Sequence, residues 1–259
     1  MARVVRSLSY HSVRLLGTSP IRLISSVEWE TPVDHALWNR LSGVWAGWFG
    51  PFDEVALYRP RQEGRFGFAA LLLEGGNEVG FVKWRADWDF EPEARLIEVV
   101  SGARSFTTPS LAGISTDPGW STIGLAPIKS GLHSARLRGS PVDLAAEVSD
   151  LLDPLIPADP EHEHWKPMHG DMGPWNLRHL AGSRPILFDW ELAQRGPPGG
   201  DVVFHMAASR AMRLSSDTDS RGFDEAASFW VDEIPRRFAG SASDQRLADS
   251  MLSELGRLS

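Results

Sequence analysis

His169-Gly170-Asp171-Met172-Gly173-Pro174-Trp175-Asn176-Leu177, followed by Ile186-Leu187-Phe188-Asp189-Trp190-Glu191, is the stretch that decides the fold of this chain. It carries the side chains that metal-assisted phosphoryl transfer needs. One carboxylate must receive or orient the proton of the attacking hydroxyl. An amide and a second carboxylate must hold Mg²⁺ on the nucleotide phosphates. Asp171, Asn176 and Asp189 supply these groups at the spacing of a tight loop that precedes a β-hairpin. The apolar run over residues 185–188 delivers Asp189 at a strand end, with Asn176 beside it.

HGD, an asparagine five residues on, then an apolar strand closed by Asp-Trp-Glu resembles the aminoglycoside phosphotransferase-like (phosphotransferase enzyme) family of the protein-kinase-like superfamily. That family also contains small-molecule kinases for other alcohols. The two motifs cover only residues 168–191, but in the family's order and at its separation. The resemblance implies an α+β, bilobal protein-kinase-like fold, with an antiparallel sheet and a helix in the N-lobe and a mainly helical C-lobe. It places a nucleotide-binding lobe over residues 1–126, including an N-terminal extension over 1–50, and a catalytic and substrate lobe over 127–259. It further implies a Mg²⁺-dependent kinase that moves the γ-phosphoryl group of ATP or GTP to a hydroxyl of a small acceptor. An aminoglycoside, another antibiotic, an amino alcohol and a sugar all remain open as acceptors. Asp171 is then the catalytic residue, and Asn176 and Asp189 are the metal ligands. The alternative is a catalytically inactive kinase-like module that binds nucleotide or acts as a scaffold; the intact set of polar residues argues against it.

Composition agrees with these expectations and removes others. The 259 residues are 42% hydrophobic and 23% charged, as in a water-soluble globular chain. With no cysteine, disulfides, thiolate-zinc sites and thiol nucleophiles are excluded. No apolar run approaches the roughly 18–20 residues that span a bilayer, so no membrane partner is expected. A net charge of −8 argues against nucleic acid and is compatible with a cationic acceptor. Monomer and dimer both stay open.

Of the 26 Lys and Arg residues, only Lys83, Lys129 and Lys166 are lysine. A chain that uses arginine almost everywhere has thus placed a lysine in Gly80-Phe81-Val82-Lys83-Trp84. The two residue types are not interchangeable where a compact ammonium must meet phosphates. Residues 79–84 alternate as a strand, after the turn Gly75-Gly76-Asn77 and the apolar run 68–73, so the pair reads as a β-hairpin. In the family resembled, a lysine on the third strand pairs with the α- and β-phosphates, and Lys83 matches it. Its carboxylate partner belongs on the next helix. Asp89 as N-cap, Pro92 in the first turn and Gly102 past the end bound that helix. Glu93 is the assigned partner and Glu98 the runner-up.

Elsewhere the signals are coarser. The turn Arg61-Gln62-Glu63-Gly64-Arg65-Phe66-Gly67 has only two glycines where protein kinases place a GxGxxG loop. Gly64 and Gly67 are the candidates whose surrounding amides cover the phosphates. Residues 106–115 and 120–126 read as the last strands of the sheet. The family's interlobe hinge falls at Leu125-Ala126-Pro127-Ile128, with adenine on the backbone at Ala126. Thr31, with Asp34 in the first turn, starts a helix carrying Leu37, Leu41 and Trp45. Residues 141–152 form another, and residues 154–167 a proline-punctuated loop. In that loop His162 and His164 read as a solvated turn rather than a zinc site. His169 packs to fix the catalytic loop, and Asp201 caps the helix opening at Val202 and braces that loop. Residues 1–26 hold four arginines, six serines and no acid; they read as an N-lobe extension with short edge strands in a cytoplasmic enzyme, the alternative being a mitochondrial transit peptide, whose composition they share.

Overall fold

A computed structural model describes residues 3–5, 33–58, 66–128, 139–179, 182–214, 222–239 and 242–257. The chain is α+β and divides into two compact units. One comprises Met1–Glu98 and Pro109–His133, the other Val99–Thr108 and Ser134–Ser259.

The first unit is built on a six-stranded sheet. Its strands are β1 (Arg3–Val5), β2 (Glu54–Tyr58), β3 (Gly67–Glu74), β4 (Asn77–Ala86), β5 (Leu111–Asp117) and β6 (Trp120–Leu125), in the order β1-β2-β3-β4-β6-β5. Strand β1 runs parallel to β2, and every other neighbour is antiparallel. Gly75 and Gly76, with φ of 54° and 76°, form the two-residue turn between β3 and β4. Both central positions of such a turn need positive φ, which glycine adopts without strain.

Along β4, Val82 and Trp84 are buried under helix α1 (His35–Phe49), and Lys83, between them in the pleat, belongs to the other face. Helix α1 contributes Trp38, Leu41 and Trp45 to that core. It starts later than the sequence pattern predicts: Asp34 is the N-cap, its side chain accepting from Leu37 N at 2.9 Å. Thr31 lies outside the described residues. Helix α2 spans Glu91–Val100, and Asp89 Oδ1 accepts from Glu91 N at 2.9 Å at its start.

The predicted strand over 106–115 is displaced, because β5 begins only at Leu111. Residues before it serve the second unit instead. Thr107 N donates to Pro185 O at 2.8 Å, and Leu187 N donates to Thr107 O at 2.8 Å.

The second unit is mainly helical. Helix α3 (Pro141–Leu152) opens on Ser140, whose side chain accepts from Asp143 N, with proline in its first turn. Helix α4 (Gly200–Ala211) is buried from Gly200 through Ser209 and forms the centre of the unit. Helices α5 (Asp224–Arg237) and α6 (Ala242–Leu255) close over it through Trp230, Ile234, Met251 and Leu255. Two small ladders carry the segment with the HGD motif: β7 (Lys166–Met168) with β10 (Gln194–Gly196), and β8 (Leu177–Arg178) with β9 (Ile186–Leu187). Arg195 staples the proline-rich loop to β10, donating to the carbonyls of Ile156, Pro157 and Trp165 and to Asp153 Oδ1. In that loop the His162 ring stacks on Trp165 at 4.0 Å, and His164 and Trp165 converge on Glu225.

Candidate active site

In the first unit, Lys83 Nζ donates to Glu93 Oε1 at 2.7 Å. Both side chains are nearly enclosed, 11% and 2% exposed, so the pair is shielded from the screening that weakens surface ion pairs. Of the two glutamates the helix offers, Glu93 faces the sheet and Glu98 is exposed. The backbone beneath the lysine is held as well. Thr122 Oγ1 on β6 donates to Lys83 O at 2.7 Å and accepts from the Trp45 indole of α1 at 3.1 Å. Gly67 is the first residue of β3, opposite Arg85 in the ladder with β4. Gly64 lies outside the described residues. Ala126 N donates to Ser110 O at 2.8 Å, which leaves its carbonyl rather than its amide for a ligand.

In the second unit the HGD loop is tied down at nearly every polar atom. Gly170 has φ of 77°, and a Cβ there would stand 2.1 Å from Leu192 O, so only glycine fits. The His169 ring is buried and uses both nitrogens: Nε2 donates to Phe188 O at 3.1 Å, and Nδ1 accepts from Asp171 N at 3.1 Å. That pattern selects the neutral ring protonated on Nε2. The backbone N–H groups of His169 and Gly170 donate to the two oxygens of Asp201, at 2.7 and 3.0 Å. Asp201 therefore braces the loop as its position suggests, but it does not cap α4. The N-cap is Gly199, in the left-handed region and with no side-chain capping bond. Burial pushes the Asp201 carboxyl up to about 6, although the two N–H donors and the Arg237 guanidinium pull the other way.

Asp171 is half-buried at the end of this loop. The indole of Trp175 donates to its Oδ1 at 2.9 Å, and the amide of Asn176 donates to its Oδ2 at 2.8 Å. The second amide hydrogen of Asn176 goes to Asp171 O at 2.9 Å. With both hydrogens used, the amide orientation is fixed. Its Oδ1 is buried and has no hydrogen-bond partner among the described residues. A neutral amide oxygen of this kind suits a hard divalent cation, which takes oxygen donors.

Asp189 is set beside it by the β8–β9 ladder, since Phe188 N donates to Asn176 O at 3.2 Å. Asp189 itself is left-handed, with φ of 72°, a conformation that non-glycine residues hold only when their surroundings over-determine it. Here the surroundings are Trp190, which is buried, packs at a tilt 4.5 Å from the His169 ring and donates to Thr108 Oγ1 at 3.0 Å. The side chains of Asn176 and Asp189 are oxygen donors of the kind a magnesium ion takes, and phosphate oxygens would have to complete such a site. Among the described residues no group of three or more His, Asp or Glu could hold a metal without such help.

Three supports were not legible in the sequence. Arg237 of α5 donates to Gly170 O and lies over the Trp230 ring at 4.7 Å. His205 of α4 donates through Nδ1 to Met172 O at 3.0 Å, and burial lowers its basicity, keeping it neutral. Trp175 stands inside the motif, yet nothing in its position announces its bond to Asp171.

The model of the phosphotransferase enzyme family matches residues 109–238, about half of the chain, and the protein belongs to that family. Many solved structures share its fold, among them the two that follow. Choline kinase LicA from Streptococcus pneumoniae aligns with a TM-score of 0.52 at 12% identity, covering 86% of this chain and 98% of that one. Spectinomycin phosphotransferase APH(9)-Ia, solved with ADP and spectinomycin, aligns at 0.51 with 10% identity, covering 83% and 93%. No curated protein sequence matches significantly.

Proposed function

We propose that the protein is a Mg²⁺-dependent small-molecule kinase that transfers the γ-phosphoryl group of ATP or GTP to a hydroxyl of a small acceptor. The observation that carries this reading is the divided amide of Asn176. Its nitrogen holds the carboxylate of Asp171 while its buried oxygen is left for a cation. One residue thereby ties the group that would handle the acceptor proton to the group that would hold the metal.

Each residue then has a task its geometry supports. Lys83, kept in place by Glu93, neutralises the α- and β-phosphates. Asn176 and Asp189 hold the metal, which when bound neutralises charge on the phosphates. Asp171, with its carboxylate oriented by two donors, aligns the acceptor hydroxyl and takes its proton, a contribution of roughly 10²–10⁴-fold. Positioning and charge stabilisation supply most of the remaining acceleration. The carbonyl of Ala126 is the adenine acceptor. The acceptor alcohol is an aminoglycoside, another antibiotic, an amino alcohol or a sugar.

Thermal-shift titration with ATP and GTP, with and without Mg²⁺, tests this reading in the wild type and in Asp189→Asn. Asparagine tolerates the left-handed backbone at this position and removes only the charge. A Mg²⁺-dependent rise in Tm that is lost in the variant is expected. A nucleotide response indifferent to Mg²⁺, or equal in both proteins, would remove Asp189 from the metal site.

A further inference from the structure

We infer that Trp175 is a positioning residue for Asp171, an inference that rests on the kinase reading of that carboxylate. The indole N–H donates to Asp171 Oδ1 at 2.9 Å, while the next residue, Asn176, holds Oδ2 at 2.8 Å. Consecutive side chains thus grip the two oxygens of one carboxylate. A carboxylate oxygen has two acceptor sites, so one donor on each oxygen does not by itself bar an acceptor hydroxyl. What the clamp removes is rotation about the side-chain torsions, the freedom that would let the carboxylate swing away from the reacting hydroxyl.

The backbone around the indole is shaped for this bond. Asn176 N donates to Gly173 O at 3.0 Å, closing a turn that carries residue 175 back toward Asp171. The Trp175 ring then lies directly across Gly173. A Cβ at that residue would stand 2.4 Å from Cε2 and 2.5 Å from Cζ2 of the indole. The far edge of the ring is fixed in the core of the helical unit, edge-on to Phe204 at 5.8 Å and to Phe238 at 6.0 Å. The ring is 6% exposed, so the bond to Asp171 is made at the boundary of a packed core rather than in water. Gly173 therefore belongs to the device: it has no side chain because the indole occupies that space. Glycine here does not answer a backbone need, since its φ lies outside the left-handed region.

The test uses the whole chain and two readouts. In ¹⁵N-labelled protein, the Trp175 indole resonance is identified as the one missing from Trp175→Phe. Asp171→Asn should move that resonance upfield, because a charge-assisted bond becomes a neutral one, and Gly173→Ala should displace it as well. Turnover is read as Mg·ATP hydrolysis with water as the acceptor. Trp175→Phe should lower kcat about 10-fold while KM for ATP changes less than about twofold, the pattern of an interaction used in the transition state. A benzothienylalanine at position 175 keeps the ring and lacks only the donor; it should match Trp175→Phe, which covers the case where the smaller ring fails to fold. An indole resonance unmoved by Asp171→Asn overturns the inference. So does wild-type kcat in both position-175 variants while Asp171→Asn is inactive, an outcome that leaves the kinase reading standing. Wild-type turnover in Asp171→Asn overturns both.

Discussion

Asp201 holds the HGD loop from 32 residues away, and it does so as a fully buried acid. Its carboxyl is raised to about 6, so the folded state takes up a proton where the unfolded chain, titrating near 3.8, does not. The stability this group contributes is therefore greatest below the unfolded value and is lost as pH rises through about 6. His205 acts in the opposite sense. Burial depresses its basicity, so its contribution is present above the ordinary histidine range and is lost on acidification. Just below pH 6, where acidification begins to draw on both groups, the two act in opposite senses. Asp201→Asn removes one side of that balance, and denaturant titrations should show a steeper fall of stability on acidification than in the wild type. An unchanged pH slope would show that Asp201 does not titrate in this window.

At the scale of elements, helix α1 is the counterpart on the sheet of what α4 and α5 are to the loop. Trp45 reaches Thr122, which in turn holds the carbonyl of Lys83. Thr122→Val keeps the shape and strands both an indole donor and a backbone carbonyl. It should cost about 1–3 kcal/mol and weaken Mg·nucleotide binding through the lysine strand, measured by chemical denaturation and nucleotide titration. The helix seats on the sheet through glycines. Gly113 and Gly124 are cross-strand partners, and a Cβ on either would stand 2.4–2.5 Å from the Trp48 ring. Gly124→Ala should therefore destabilise by about 1–3 kcal/mol by overpacking. Combined with Trp48→Ala, the penalty should shrink, because the double mutant removes the clash; strict additivity would place the ring elsewhere.

On the scale of the whole molecule, the chain makes two units with a core in each, and the segment 99–108 leaves the first to join the second. Its anchors are specific: Glu147 of α3 accepts from Arg104 N and Ser105 N at 2.6 and 2.7 Å, and Thr107 and Thr108 bond to Pro185, Leu187 and Trp190. That is why the strand pattern over 106–115 misleads: Thr107 and Thr108 bond to residues far downstream, and the sheet strand begins only at Leu111. Among the described residues no helix is long and apolar enough to cross a membrane. Nucleotide binding should register on the molecule as a whole. At a ligand concentration about 100 times Kd the folded state gains about 2.7 kcal/mol, and the thermal shift proposed above should be read against that scale.

What the sequence determines by itself is chemical kind and local order. The HGD loop, the asparagine five residues on, Asp189 at a strand end and a lone lysine in a hairpin are patterns within a turn or a strand. Short-range sterics and alternation suffice to place them. Even the partner of Lys83 lies close, on the helix that follows its strand. Long-range packing, by contrast, sets what holds those groups still. The separations are 32 residues from His169 to Asp201, 67 from Gly170 to Arg237, and 77 from Trp45 to Thr122. Such pairs arise because buried N–H and C=O groups must find partners wherever the packed helices bring donors and acceptors together. No local period encodes that meeting, and so the orientation of Asp171 by a neighbouring indole became visible only once the core had set the ring.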